Sequence, residues 1–157
     1  MLKRQKTEQK PADQDEPPSG SILIAATDPD ARATYAAVLA TRGFEAAECE
    51  LADAGTVTSG TKYGCTVVVG TGADENTAIT QISHMRNSEH QQVRRTAVLL
   101  LVPSARNQIY AWESGIDGFL VLPAHVDDLV ADVRAILARP RLERFNHRQA
   151  MLERSRR

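Results

Sequence analysis

At 157 residues and 17.2 kDa, the chain has room for one ordinary domain plus short tails. Its 42% apolar, 25% charged and 4% aromatic composition excludes collagen-like, disulfide-framework and wholly disordered classes. No stretch approaches the ~20 apolar residues needed to span a bilayer, and a net charge of -1 gives no bulk attraction to nucleic acid. Residues 1–20 hold four basic and four acidic side chains, three prolines and almost nothing apolar, so they read as a disordered arm. The opening Met1-Leu2-Lys3-Arg4 has no apolar run behind it and does not read as a secretory signal. Two cysteines show no metal or disulfide pattern, which makes a reducing cytoplasm the expected location.

From residue 21 onward, short apolar runs alternate with helical stripes. Ile22-Leu23-Ile24-Ala25-Ala26 predicts a strand buried on both faces. Asp28-Pro29 is a helix cap followed by proline at the first helical position, and the helix it opens stops at Gly43. Phe44 to Cys49 predicts a second strand. Residues 51–62 predict a weak helix, interrupted by Gly55, Gly60 and the β-branched Thr56-Val57-Thr58. Thr66 to Val69 is a third strand, ending at Gly70-Thr71-Gly72, and Asp74 to Arg86 is a helix with Ile79, Ile82 and Met85 on its stripe. Residues 87–95 are polar and loop-like. Ala97 to Val102 is the most apolar strand; a short helix through Tyr110 and Trp112 follows and ends near Gly115. Phe119 to Leu122 is the fifth strand, closed by Pro123. Val126, Leu129, Val130, Val133, Ile136 and Leu137 then mark the most amphipathic helix.

Five strands alternating with five helices imply an α/β, doubly wound, five-stranded parallel sheet, with ligands expected at the carboxyl ends of the strands. The domain is expected over residues 21–138, which carry net charge -6, and a basic tail over 139–157 carries +5. Such a tail either folds back on its own body or meets an acidic partner. Leu142, Phe145, Gln149 and Leu152 form a ragged stripe along it, surrounded by Arg141, Arg144, Arg148 and Arg154. A docking helix, a self-covering flap and a solvated extension are the readings of that stripe, with anionic lipid or nucleic acid as weaker ones.

Three blocks carry a family resemblance: Ile22 through Arg32, Gly43-Phe44, and Gly115-Ile116-Asp117-Gly118-Phe119-Leu120-Val121-Leu122-Pro123. Together with the order and spacing of the ten elements, they make residues 21–138 similar to the receiver domain of response regulators, the flavodoxin-like module of two-component signalling. The resemblance implies strand order 2-1-3-4-5. It also implies a chemistry in which an aspartate after the third strand accepts a phosphoryl group, an acid pair after the first strand holds Mg²⁺, and a hydroxyl and a lysine grip the phosphoryl oxygens. Here the acid pair falls on Ala26 and Thr27, the acceptor on Gly70, the hydroxyl on Val102 and the lysine on Leu122. A one-residue shift would put Thr71 at the acceptor place, and threonine cannot form an acyl phosphate. Asp28 and Asp74 are the remaining acids from which a displaced metal site could be built, and a lone acid pair holds Mg²⁺ weakly. Phe119 falls at the family's aromatic switch position without a hydroxyl. The chain therefore resembles a degenerate pseudo-receiver.

Other motifs weigh less. Gly70-Thr71-Gly72-Ala73-Asp74-Glu75 follows a strand and opens a helix as a dinucleotide loop does, but Glu75 replaces the third glycine and two carboxylates would repel a pyrophosphate. Cys49 and Cys65 lie on strands separated by the first strand and read as small buried hydrophobes. His84, His90, His125 and His147 lack ligand spacing and are expected at the surface. The expected function is a non-catalytic, phosphorylation-independent interaction module of bacterial signalling, with no cofactor and no metal, a protein partner, and a homodimer left open. By family analogy the partner meets the surface of the fourth helix, fifth strand and fifth helix, where Tyr110, Trp112 and Phe119 would anchor it; packing against the sheet is the competing role for the aromatics. The alternative function is a small-ligand sensor, for a nucleotide or phosphate, using the uncharged pocket near Thr27 and Gly70 to Gly72.

Overall fold

A computed structural model describes residues 20–157; the expected arm, apart from Gly20, lies outside the described residues. The continuous apolar runs become the three central strands of one sheet. β1 (Ser21–Ala26), β3 (Cys65–Val69) and β4 (Val98–Val102) are buried along their whole length, while β2 (Glu45–Cys49) and β5 (Gly118–Val121) form partly exposed edges. All neighbours pair in parallel in the order β2-β1-β3-β4-β5, as the resemblance implies.

Seven helices among the described residues cover the two faces: α1 (Pro29–Ala40), α2 (Ala54–Gly60), α3 (Glu75–Arg86), α4 (Gln91–Arg94), α5 (Gln108–Ser114), α6 (Val126–Ala138) and α7 (Arg141–Ser155). Successive strand side chains point to opposite faces and build two cores. Ile22, Ile24, Val67, Leu99 and Leu101 pack with Leu39 of α1 and Leu129, Val133 and Ile136 of α6. Ala25, Val68, Val98, Leu100 and Val102 pack with Ala54, Ile82, Met85, Val93 and Trp112 on the other side.

Local chemistry sets the boundaries. Asp28 Oδ1 accepts from the Asp30 amide at 2.9 Å and Pro29 opens α1, as the cap predicts. The weak segment 51–62 splits into a 3₁₀ turn, Leu51–Asp53, and the short α2, where the buried Thr58 hydroxyl donates to the Ala54 carbonyl at 2.8 Å. Residues 87–95 are not all loop: α4 forms there because Val93 is drawn into the core, a single anchor too isolated to show as a periodic stripe.

Gly118 marks a close approach of helix to sheet. A Cβ on it would lie 2.8 Å from Leu99 Cδ1 and 3.1 Å from Ile136 Cδ1, so α6 sits where no side chain at 118 leaves room. Gly118→Ala is therefore expected to cost about 1–3 kcal/mol by overpacking, read as a lower urea midpoint with an unchanged slope.

Candidate functional site

The residues aligned with the receiver pocket gather at the carboxyl ends of the strands. Ala26 and Thr27 lie at the end of β1, Gly70 after β3, Val102 at the end of β4 and Leu122 after β5. Val102 is fully buried in the core shared with α3 and α5, and Leu122 packs against the core on the opposite face. Gly70 is closed from above by α3: a Cβ on it would meet Ala78 Cβ at 3.0 Å and the Glu75 Cα at 3.1 Å. The position that the resemblance aligns with the acceptor thus carries no carboxylate, and a side chain there would press on α3. At the acid-pair place, Arg32 Nη1 donates to the carbonyls of Ala26 at 2.7 Å and Thr27 at 3.3 Å and pairs with Glu50 at 3.0 Å. A fixed guanidinium on these oxygens opposes a divalent cation there.

Glu75, the first residue of α3, is 3% exposed. Its Oε2 accepts from Asn107 Nδ2 at 3.0 Å, and Arg106 lies 3.6 Å from Oε1. These contacts tie the loop after β3 to the loop after β4. Burial raises both thiols, Cys49 to about 11 with Asp53 adding to the rise and Arg32 opposing it, and Cys65 still further; both are protonated and inert at neutral pH.

A buried cluster of charged side chains lies at the opposite end of the sheet. Asp117, just before β5, is 1% exposed. Its Oδ2 accepts from the Val98 amide at 2.8 Å and from Arg86 Nη2 at 3.1 Å, and its Oδ1 accepts from Arg148 Nε at 2.9 Å. Arg86 also donates to the carbonyls of Arg94, Thr96 and Gly115. Burial, with Arg148 and Arg144 adding to it and Asp117 opposing it, lowers Arg86 to about 10, so it stays charged at neutral pH. Gly115, at φ +104, lies against this guanidinium, and a Cβ there would come within 2.8 Å of Arg86.

Arg148 belongs to α7, so the basic tail folds back on its own body. This changes the placement of several expected site residues. Trp112 is 4% exposed, beneath α7, with its ring edge-on to His147 at 6.0 Å; packing rather than display is its role. Phe119 is half-buried against the same core. Tyr110 alone of the three aromatics stands out, 65% exposed. His147 is half-buried rather than a surface residue, and desolvation, with Arg139 next, lowers its pKa against the opposing pull of Asp117. The tail stripe is also reassigned: Arg144, His147, Arg148, Met151, Leu152 and Ser155 face the body, while Leu142, Phe145 and Gln149 face outward with Arg141. The reason is Asp117, whose buried carboxylate draws Arg148 inward and rotates the helix accordingly. Sequence reading had Asp117 only as part of a motif block and had no signal for Arg86.

No family profile and no curated protein matches the chain. Solved structures do match its fold. A response regulator from Chloroflexus aurantiacus is 22% identical with a TM-score of 0.65, over 79% of this chain and all of that one. The receiver domain of a Pseudomonas aeruginosa sensor histidine kinase, whose active-site cleft coordinates magnesium, is 16% identical with a TM-score of 0.63, over 78% and 100%. A chemotaxis response regulator of Vibrio cholerae is 15% identical with a TM-score of 0.64, over 76% and 99%. The fold is therefore that of response-regulator receiver domains. Among the described residues no helix is long and apolar enough to cross a membrane.

Asp117→Asn keeps the shape but removes the charge that Arg86 and Arg148 face. It is expected to lower stability by about 3–5 kcal/mol, the cost of breaking a buried pair, measured by urea unfolding.

Proposed function

We propose that this chain is a receiver-fold, non-catalytic protein-interaction module of signal transduction whose binding state is set without phosphorylation. The observation that carries the reading is that Gly70, aligned with the acceptor, has no side chain and lies so close to α3 that a Cβ there would crowd Ala78 and the Glu75 backbone. Three further features agree with it. Val102 and Leu122 are apolar filling at the places of the hydroxyl and the lysine, and burial of each contributes on the order of 1.5–3 kcal/mol when complete. Arg32 supplies a permanent positive charge at the place of the metal. The Glu75–Asn107 bond holds the loop after β4 to α3. A module so filled exchanges a switch for a stable shape, because the repelling carboxylates of a working receiver oppose folding and are absent here. The same crowding speaks against the small-ligand alternative at Thr27 and Gly70 to Gly72. A cytoplasmic location and the absence of a cofactor belong to the same proposal.

The partner surface includes Tyr110, with Ile109 beside it at 40% exposure. An exposed tyrosine carries large contact area at low entropic cost, which suits an anchor.

Incubation of the chain with acetyl phosphate and Mg²⁺ is expected to leave its intact mass unchanged, and a stoichiometric phosphoryl adduct would refute the reading. Gly70→Asp is expected to remain unphosphorylated too, and to lose about 1–3 kcal/mol by overpacking against α3. Tyr110→Ala is expected to weaken partner binding by about 2 kcal/mol in titration calorimetry, with the melting temperature held.

A further inference from the structure

The way α7 sits on the body shows what its berth accepts and how poorly the present occupant fills it. Four contacts hold the helix. Arg148 Nε reaches the Asp117 carboxylate at 2.9 Å, Arg156 pairs with Glu113 at 2.9 Å, His147 meets the edge of Trp112, and Met151 and Leu152 pack on the core that contains Trp112 and Phe119. The berth therefore reads an arginine, apolar side chains one turn further on and a second arginine beyond them, on one face of a helix. A cavity of about 210 Å³ remains between α7, β5 and α6, lined by Asp117, Phe119, Asp132, Arg139 and His147.

Several features of the same helix work against docking. Arg144 is 8% exposed, its Nη1 and Nη2 donate only to the carbonyls of Arg139 at 3.0 Å and Arg95 at 3.5 Å, and its Nε has no partner. Among the described residues no carboxylate pairs with it, while Asp117 is already shared between Arg86 and Arg148. Trp112 Nε1 is buried under the helix without an acceptor. Buried donors and cations without partners oppose the state that buries them. Meanwhile the most apolar residues of α7 point away, with Leu142 at 70% and Phe145 at 50% exposure. The link to α6 is only Arg139 and Pro140, both extended, so α7 can leave without unwinding α6.

We propose that the face made by Asp117, Trp112, Phe119 and Glu113 is a docking groove for an arginine-bearing amphipathic helix of a partner protein, and that α7 is an intramolecular latch this helix displaces. Complementary charge supports a basic occupant: the body over 21–138 carries -6 and the latch segment +5. The proposal rests on the interaction-module reading and adds its regulation: the groove is closed until a better-fitting helix competes.

The test uses the full chain and a fluorescein-labelled peptide with the sequence of residues 139–157. Trp112 is the single tryptophan, so its emission reports the position of α7. Arg148→Glu sets a carboxylate against Asp117 and is expected to release the latch, seen as a red shift of Trp112 emission with the urea transition still cooperative. The peptide is then expected to bind the variant at least tenfold more tightly than the wild type, and a peptide carrying the same Arg148→Glu change is expected not to bind. Equal affinity for both proteins, or no binding to a variant whose Trp112 emission has shifted, would overturn the proposal. A dimer held by exchanged tails, seen as doubled mass in light scattering and abolished by Arg148→Glu, would assign the groove to a second copy and overturn the partner assignment. Hydrogen exchange on the wild type decides the matter if the variant does not fold: α7 amides are expected to exchange by local opening, ahead of β3 and β4, and exchange only together with those strands would refute the latch. Phosphorylation of the chain would sink the interaction-module reading and leave the peptide result standing.

Discussion

The buried Asp117 carboxylate is the interaction on which the rest of the arrangement depends. Removed from water, it is stable only with donors, and it takes them from three elements: the amide of Val98 in β4, Arg86 at the end of α3 and Arg148 in α7. Arg86 in turn satisfies the carbonyls of Arg94, Thr96 and Gly115. One carboxylate thus closes the amino-terminal end of the sheet and makes the tail part of the domain. It also decides which face of α7 turns inward, against the direction that Leu142 and Phe145 would favour by burial alone.

The two ends of the sheet have opposite characters. At the carboxyl ends, Val102, Leu122 and the close crossing of α3 fill much of the space, the Arg32 guanidinium rests on backbone carbonyls, and the buried Glu75 accepts from Asn107. At the amino-terminal end, one carboxylate faces Arg86 and Arg148, with Arg144 buried nearby and unpaired. In the latch proposal, this uneven charge balance is what makes the occupant of the groove replaceable.

Much of this was legible before any coordinates. Continuous apolar runs marked β1, β3 and β4 because strands buried on both faces need no polar alternation. Asp28-Pro29 and Gly43 bounded α1, and the amphipathic stripe gave α6. Residue identity also showed that Ala26, Gly70, Val102 and Leu122, at the places the resemblance assigns to the pocket, carry no side-chain group that binds a phosphoryl or a metal. Less legible was α4, anchored by Val93 alone, and the status of Trp112, which on a seven-residue helix could face the sheet or the solvent with equal local logic. The tail stripe was misassigned because apolar periodicity counts Leu142 and Phe145 but gives no weight to an arginine that follows a buried acid.

What the sequence alone determined was everything governed by neighbours in the chain: strand and helix periods, caps, the order of elements, and which reactive groups are absent. The tertiary structure decided the rest. Asp117 and Arg148 are 31 residues apart, and only the parallel sheet brings them together out of water. Whether Gly70 is an open loop or a sealed one depended on how closely α3 crosses β3, a distance set by side-chain packing between segments that share no local signal.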